Sequence, residues 1–82
     1  MAKQFDLNII TQSKTVYKGR ASSLIAPAEL GYLGVLADHA PLIANLKNGK
    51  LIIKEDTGKE LTFPCQKGFL EVLSNKVTVL LN

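Results

Sequence analysis

Gly31-Tyr32-Leu33-Gly34-Val35-Leu36-Ala37-Asp38-His39-Ala40-Pro41-Leu42 decides how this chain is read. Two glycines flank an apolar pair, and a short apolar step runs into an Asp-His-Ala-Pro corner. Glycine permits positive φ and close backbone approach. Proline locks its own φ and pushes Ala40 toward an extended conformation. The segment reads as a tight, shaped, non-helical loop joining two strands. A helix over 26–36 would hold Pro27, Gly31 and Gly34, and the summed penalties disfavour it.

Outward from this loop the pattern is strand. Phe5-Asp6-Leu7-Asn8-Ile9 alternates apolar and polar, the period of a half-buried strand. Thr15–Lys18 reads as a short strand ended by Gly19, and Ser22–Pro27 as another that breaks at Pro27. Pro41–Lys47 puts Leu42, Ala44 and Leu46 on one face. Asn48-Gly49 is a strong hairpin signal, which makes Lys50–Glu55 the return strand. Asp56-Thr57-Gly58-Lys59 is a looser turn. Glu60–Cys65 aligns Leu61, Phe63 and Cys65. Gly68–Leu73 and Lys76–Leu81 pair about Ser74-Asn75. About eight to ten short, mostly antiparallel strands follow, so the expected fold is all-β, a two-layer β-sandwich or flattened barrel.

The 82 residues suit one domain, 1–82, burying roughly 60–65% of its unfolded surface. A hydrophobic fraction of 46% supplies a core and argues against disorder. No apolar run approaches the ~20 residues of a membrane span, and Met1–Asp6 lacks the apolar core of a signal peptide. Cys65 is alone, so no intrachain disulfide is expected. Net charge is +3, yet Arg20 is the only arginine among ten basic residues. Planar bidentate base reading uses arginine, so the lysines read as a solvated surface.

The strand faces turned from the core should be polar. Here they keep Ile10, Ile43, Ile52 and Leu80 beside Asn8, Asn45, Lys54 and Thr78, and either Phe69 or Leu70 must point outward. An 82-residue, two-layer domain has little with which to cover such residues. A contiguous patch would mark a docking surface, whereas central strands covered on both faces would not.

Catalytic chemistry finds few groups. His39 is the only histidine, and sequence neighbours such as Asp38 rarely orient one another as a dyad does. Cys65, in phase with Leu61 and Phe63, reads as a small core hydrophobe rather than a nucleophile. One His and one Cys cannot supply a structural zinc site, the acids lack calcium-loop spacing, and no phosphate-binding glycine motif precedes a helix. No catalytic residue, metal or cofactor is expected. Lys47, Lys50, Lys54 and Lys59 interleave with Glu55, Asp56 and Glu60, a pattern of weak cross-strand pairs. Tyr32, between two glycines, either meets a partner or lies flat on its own domain.

The stretch Gly31–Leu42 resembles the "GELGILPGHAPL" loop of the epsilon subunit of F-type ATP synthase. Val16-Tyr17-Lys18-Gly19, Ala26-Pro27, Gly49-Lys50-Leu51, Gly68–Val72 and Asn75–Leu80 are similar to that family's "VYxG", "AP", "GEL", "GGFLEV" and "NxVTVL" segments, in order, over most of the chain. The resemblance implies a non-catalytic β-sandwich in the rotor stalk, bound to the gamma subunit and the c-ring and coupling ion flow to ATP synthesis. It implies a peripheral location at the cytoplasmic face of a bacterial inner membrane, or at an organellar membrane, with no insertion. Gly31, Tyr32, Leu33, Asp38 and His39 are then expected at the c-ring and adjoining gamma, and Ile43, Ala44, Ile52 and Phe69 toward gamma. Three positions depart from the pattern: Tyr32 stands where many relatives carry an acid, Asp38 where they carry glycine, and Lys67 at the first glycine of "GGF". The chain stops at Asn82, where relatives continue into a helical hairpin, so self-inhibition and ATP binding by that hairpin are not expected. The alternative is a small OB-type nucleic-acid-binding barrel, which would need a stacking platform on the basic strands.

Overall fold

The alternation folds into eight strands in this computed structural model, which describes residues 3–82. Met1 and Ala2, counted above in the single domain, lie outside the described residues. The strands are β1 (Phe5–Ile10), β2 (Thr15–Ala28), β3 (Gly31–Leu36), β4 (Leu42–Leu46), β5 (Gly49–Glu55), β6 (Glu60–Cys65), β7 (Gly68–Leu73) and β8 (Lys76–Leu81). The expected all-β sandwich is what the chain forms. Hydrogen-bonded neighbours run β1-β8-β7-β4-β2-β5-β6, β1 also pairs with β2, and β3 pairs with β2. The β1–β2 pairing closes a circuit through β8, β7 and β4. β5, β6 and β3 extend from β2 as flaps.

Two layers result because β2 serves both. Its first half pairs with β1 up to Ala21. After an irregularity between Ala21 and Ser23 its second half pairs with β5 and β3. The overall dimensions are 34 × 24 × 18 Å. Each strand sends alternate side chains between the layers. Phe5, Leu7 and Ile9 from β1, Leu24 from β2, Leu51 and Ile53 from β5, Leu70 from β7 and Val77 and Val79 from β8 are all buried. No polar or charged side chain is buried among the described residues.

Three expectations are corrected. Gly31–Leu36 is a strand, not a loop. It forms a hairpin with β2 closed by Glu29 and Leu30, with Ala28 opposite Gly31 and Ser23 opposite Leu36. Only Gly31 there needs positive φ (132°); Gly34 does not, so the strand continues through it. β2 does not break at Gly19 or Pro27. A Cβ at Gly19 would lie 2.6 Å from the Tyr17 hydroxyl, so glycine leaves room for that ring, whose hydroxyl donates to Glu55 Oε2 at 2.6 Å. Pro27 accepts at its carbonyl from Lys47 N–H (2.8 Å), and β2 has no use there for the missing N–H.

The third correction concerns Asn48-Gly49, which is not a hairpin turn. β4 pairs with β7 and touches β2 only at Leu46 opposite Ala28; β5 pairs with β2 and β6. Neither residue takes positive φ. Glycine is required at 49 because a Cβ would lie 2.7 Å from Pro27 Cβ and 2.8 Å from the Tyr32 hydroxyl. The other two turns are as read. Gly58 has φ 92°, and Ser74 and Asn75 are both left-handed (φ 49° and 59°), as a two-residue hairpin demands.

Candidate docking site

Period and register decide what faces outward. On the β4-β7-β8-β1 layer, Asn45 lies opposite Phe69, Phe69 opposite Leu80, and Leu80 opposite Ile10. Phe69 is 51% exposed while Leu70 is fully buried, which resolves which of the two points out. Ile43, 74% exposed, stands one pleat away, opposite Glu71. Phe69, Leu80 and Ile10 therefore form an apolar row across three strands, with Ile43 beside it. Rows of this kind are what a partner's apolar surface can cover.

The other expected residues do not all join that row. Ala44 is half-buried, on the inward side of β4 with Leu42 and Leu46, and packs on the core. Ile52 lies on the outer face of the opposite layer, between Ile25 and Thr62. Ile43 and Phe69 share a face; Ile52 and Ala44 do not share it.

At the β3 end the site residues split again. Gly31 and Leu33 are half-buried, and Tyr32 is 60% exposed. Tyr32 lies opposite Pro27, its hydroxyl reaches Gly49, and that hydroxyl accepts from Lys50 N–H (3.3 Å). The ring rests on its own domain and still offers more than half its surface. Leu30, at the tip between β2 and β3, is wholly exposed. Residues of 28–33 and 42–45 line an open groove of about 480 Å³ between the β3 and β4 edges.

The corner Ala37–Pro41 is held by a latch that the sequence did not announce. Asp38 is left-handed (φ 63°). Glycine suits such a position best, and Asp is among the few side chains that tolerate it. Its backbone N–H donates to Asn75 Oδ1 (2.6 Å), Asn75 Nδ2 donates to Asp38 Oδ1 (2.9 Å), and Lys3 Nζ donates to Asp38 Oδ2 (2.7 Å). Asn75 also accepts at its carbonyl from Asp6 N–H (2.9 Å). One asparagine thus ties the corner to the β7–β8 turn and to β1. The Lys3 hydrogen bond, then that of Asn75, holds the Asp38 carboxyl below its ordinary value; the Asp38 hydrogen bond raises the Lys3 ammonium above its own. The signal available in the sequence was an Asp at a position where a left-handed residue was wanted.

Among the described residues no nucleophile–base pair is assembled. His39 is half-buried and donates from Nδ1 to the Ala40 carbonyl (2.8 Å), a local bond. Cys65 is buried, and desolvation pushes its thiol up, which keeps it neutral. Tyr17 is pushed up to about 12 by burial and by its hydrogen bond to Glu55. Among the described residues no group of three or more His, Cys, Asp or Glu side chains is placed to hold a metal. Phe63, on basic-flanked β6, turns inward against Tyr17 (ring centroids 5.8 Å apart) and offers no stacking platform.

A family profile described as "ATP synthase, Delta/Epsilon chain, beta-sandwich domain" matches residues 4–82. The chain is 39% identical over 75 residues to the ATP synthase epsilon chain of Xanthomonas campestris pv. campestris (strain B100), covering 92% of this chain and 54% of that relative. It is 40% identical over 73 residues to the ATP synthase epsilon chain of Stenotrophomonas maltophilia (strain K279a), covering 89% and 52%. The chain thus spans about half the length of the curated relatives it matches. The fold is shared with a chain in the cryo-EM structure of Euglena gracilis mitochondrial ATP synthase, OSCP/F1/c-ring (TM-score 0.90, 22% identity, covering 95% of this chain and 50% of that one). It is shared too with one in the Tetrahymena thermophila mitochondrial ATP synthase central stalk/c-ring structure (TM-score 0.77, 17% identity, covering 96% and 63%).

Proposed function

The chain belongs to the ATP synthase delta/epsilon β-sandwich domain family, and on that premise we propose that it is a non-catalytic piece of the rotor, docking on the gamma subunit and the c-ring. Its work is mechanical. A rotor element must resist shear while two partners pull on it. Closing β1, β8, β7, β4 and β2 into one hydrogen-bonded circuit around an apolar interior supplies that stiffness. The location that follows is peripheral, at the ion-coupling membrane, reached through the c-ring rather than by insertion.

The single observation that carries the reading is the outward apolar row of exposed Phe69 and Leu80 and half-buried Ile10, with exposed Ile43 beside it. A stable contact would bury upwards of ~1,200 Å² in total, more than this row alone, so neighbouring surface must join it. The latched corner with Asp38 and His39, and the tip with Gly31, Tyr32 and Leu33, are assigned to the c-ring and the adjoining part of gamma. Tyr32 has no charge, so at that position the partner is engaged through ring contact and hydrogen bonding.

The test is a titration of purified gamma with four proteins: the unaltered chain, Phe69→Asp, Ile43→Asp and Ile52→Asp. Phe69→Asp and Ile43→Asp are expected to weaken binding at least tenfold with unchanged melting. Because Ile52 is on the opposite layer, its variant separates a one-layer dock from a two-sided clasp. Normal gamma binding by both Phe69→Asp and Ile43→Asp would falsify the assignment of this face.

A further inference from the structure

We propose that the bare edge of β3 receives an extended strand of the partner subunit, which pairs with the main chain of Tyr32, Gly34 and Leu36 and adds a strand to the sheet. This inference rests on the docking reading and names how the partner is held.

Backbone direction is the first observation. The Pro27 carbonyl accepts from Lys47, on the flank of β2 away from β3. In an antiparallel pair, both polar groups of a residue point to one flank, and flanks alternate along the strand. Pro27 opposite Tyr32 is therefore a non-hydrogen-bonded pair. Tyr32, Gly34 and Leu36 turn their N–H and C=O groups away from β2, and among the described residues β3 has no other strand neighbour. Leu33 and Val35 turn theirs toward β2. Across the groove, Asn45 gives its carbonyl to Glu29 N–H, so by the same alternation Ile43 points its main chain away from β7. The groove is bordered by free main chain on both sides.

The second observation is how differently the two edge strands are protected. β6, the other edge, carries Glu60 and an exposed Pro64 and follows Lys59, the usual guards against strand addition. β3 reads Gly-Tyr-Leu-Gly-Val-Leu, with no charge, no proline and no bulge. Leu36 is 63% exposed, and Leu30 at its head is bare. An edge left in this state is a template for pairing.

The occupant follows from the edge. Three donor–acceptor positions spaced two residues apart take a strand of about five residues, some 14 Å long at ~3.4 Å per residue. Its alternate side chains enter the groove beside Leu33, Leu42 and Ala44, where apolar ones fit, while Glu29 and Asn45 also line it. A second copy of this chain is the poorer occupant, because two copies each of net charge +3 repel. The groove rim includes Ile43, which continues into the Phe69 row, so one partner can cover both.

The experiment uses purified gamma as the probe. Amide exchange of the chain alone should show Tyr32, Gly34 and Leu36 exchanging freely and Leu33 and Val35 protected. With gamma bound, the first three should slow at least tenfold. A variant pair adds an independent reading. Gly34 has no atom within 4 Å of a built Cβ and no positive φ, so Gly34→Ala should bind within twofold of the parent. Gly34→Pro removes an outward N–H at an edge and also fixes φ, and with melting matched to that of Gly34→Ala it should bind at least tenfold more weakly. If gamma binds and the three amides stay as fast as in the free chain, strand addition is wrong and the docking face stands. If the unaltered chain does not bind gamma, both fall. Protection that rises with the concentration of the chain alone would assign the edge to a second copy and overturn the proposal.

Discussion

On the β7–β8–β1 side each strand has a neighbour on both flanks, and Gly68 sits so close to β8 that an added Cβ would overlap the Leu80 carbonyl oxygen. On the β3 side one flank is bare, and Gly34 has open space around it. Both glycines sit in strands of the same sandwich, yet one is there because two backbones meet and the other leaves a surface uncluttered. The difference separates two jobs. Stiffness comes from the closed side, where nothing can shift cheaply. The open side leaves main chain and apolar side chains unpaired, and strand addition is proposed there, while the Phe69 row proposed for docking lies on the closed side.

The contrast breaks most visibly at Gly68. Gly68→Ala must push β7 from β8 or distort the Leu80 peptide, a cost of ~1–3 kcal/mol. For a domain of this size each kcal/mol lowers Tm by about 4–8 °C. Calorimetry of the variant checks this, and an unchanged Tm would show that the closed side yields as readily as the open one.

The latch comes next in size. Asn75→Ala places alanine at φ 59°, a left-handed backbone that costs roughly 1–2 kcal/mol without a tolerant side chain. It also removes two of the bonds holding Asp38. The Asp38 carboxyl, held low in the folded chain by Lys3 and Asn75, should titrate nearer its ordinary value in this variant. The sign for the unaltered chain follows. A carboxyl depressed by folding contributes above its ordinary range and loses that contribution as pH falls through the folded value. Lys3, raised by folding, contributes below its ordinary range and stops only as pH rises through its raised value. The corner should therefore loosen in acid, read as a lower protection factor of the Asp38 amide once the intrinsic pH dependence of exchange is divided out, and hold at neutral pH. Equal Asp38 titration in the two proteins would remove Asn75 from the latch.

The smallest effect belongs to Gly34. Gly34→Ala should move stability by less than about 0.5 kcal/mol, because the new methyl meets nothing. Side-by-side melting of the two alanine variants sharpens the comparison: the gap between them measures how much tighter the closed side is.

Asp38 and Lys67 are two of the positions at which the chain departs from the pattern it resembles. At Asp38, where the resembled pattern has glycine, φ is left-handed, and Asn75 and Lys3 hold the side chain in place. Lys67 replaces a glycine where φ is not positive; its carbonyl accepts from Asn82 N–H (3.1 Å), which asks nothing of its side chain. Two substitutions that look alike in the sequence thus differ in what they demand of the fold.

The sandwich, most strand positions and most of the inward side chains were legible because they follow from local facts. The two-residue period of Phe5–Ile9 sorts its own faces, and Ser74-Asn75 and Gly58 announce their turns through backbone freedom. The outward Ile43 was legible for the same reason. Asn48-Gly49 misled because a turn signal states only what the backbone can do. Whether a hairpin forms depends on which neighbours claim the strands, and β7 and β2 claim β4 and β5 first. The strand Gly31–Leu36 was read as a loop because its glycines weaken the pattern, while its pairing with β2 outweighs them.

Residue preference and periodicity, which act over a few bonds, were enough to determine that this chain is an all-β sandwich with an apolar interior. The tertiary structure alone decided the parallel β1–β8 pairing, the Asp38–Asn75–Lys3 latch, the separation of Ile52 from Phe69 and the bare flank of β3. Each of these joins or separates residues far apart along the chain. No local preference encodes such a choice; it is made when every strand has competed for its neighbours.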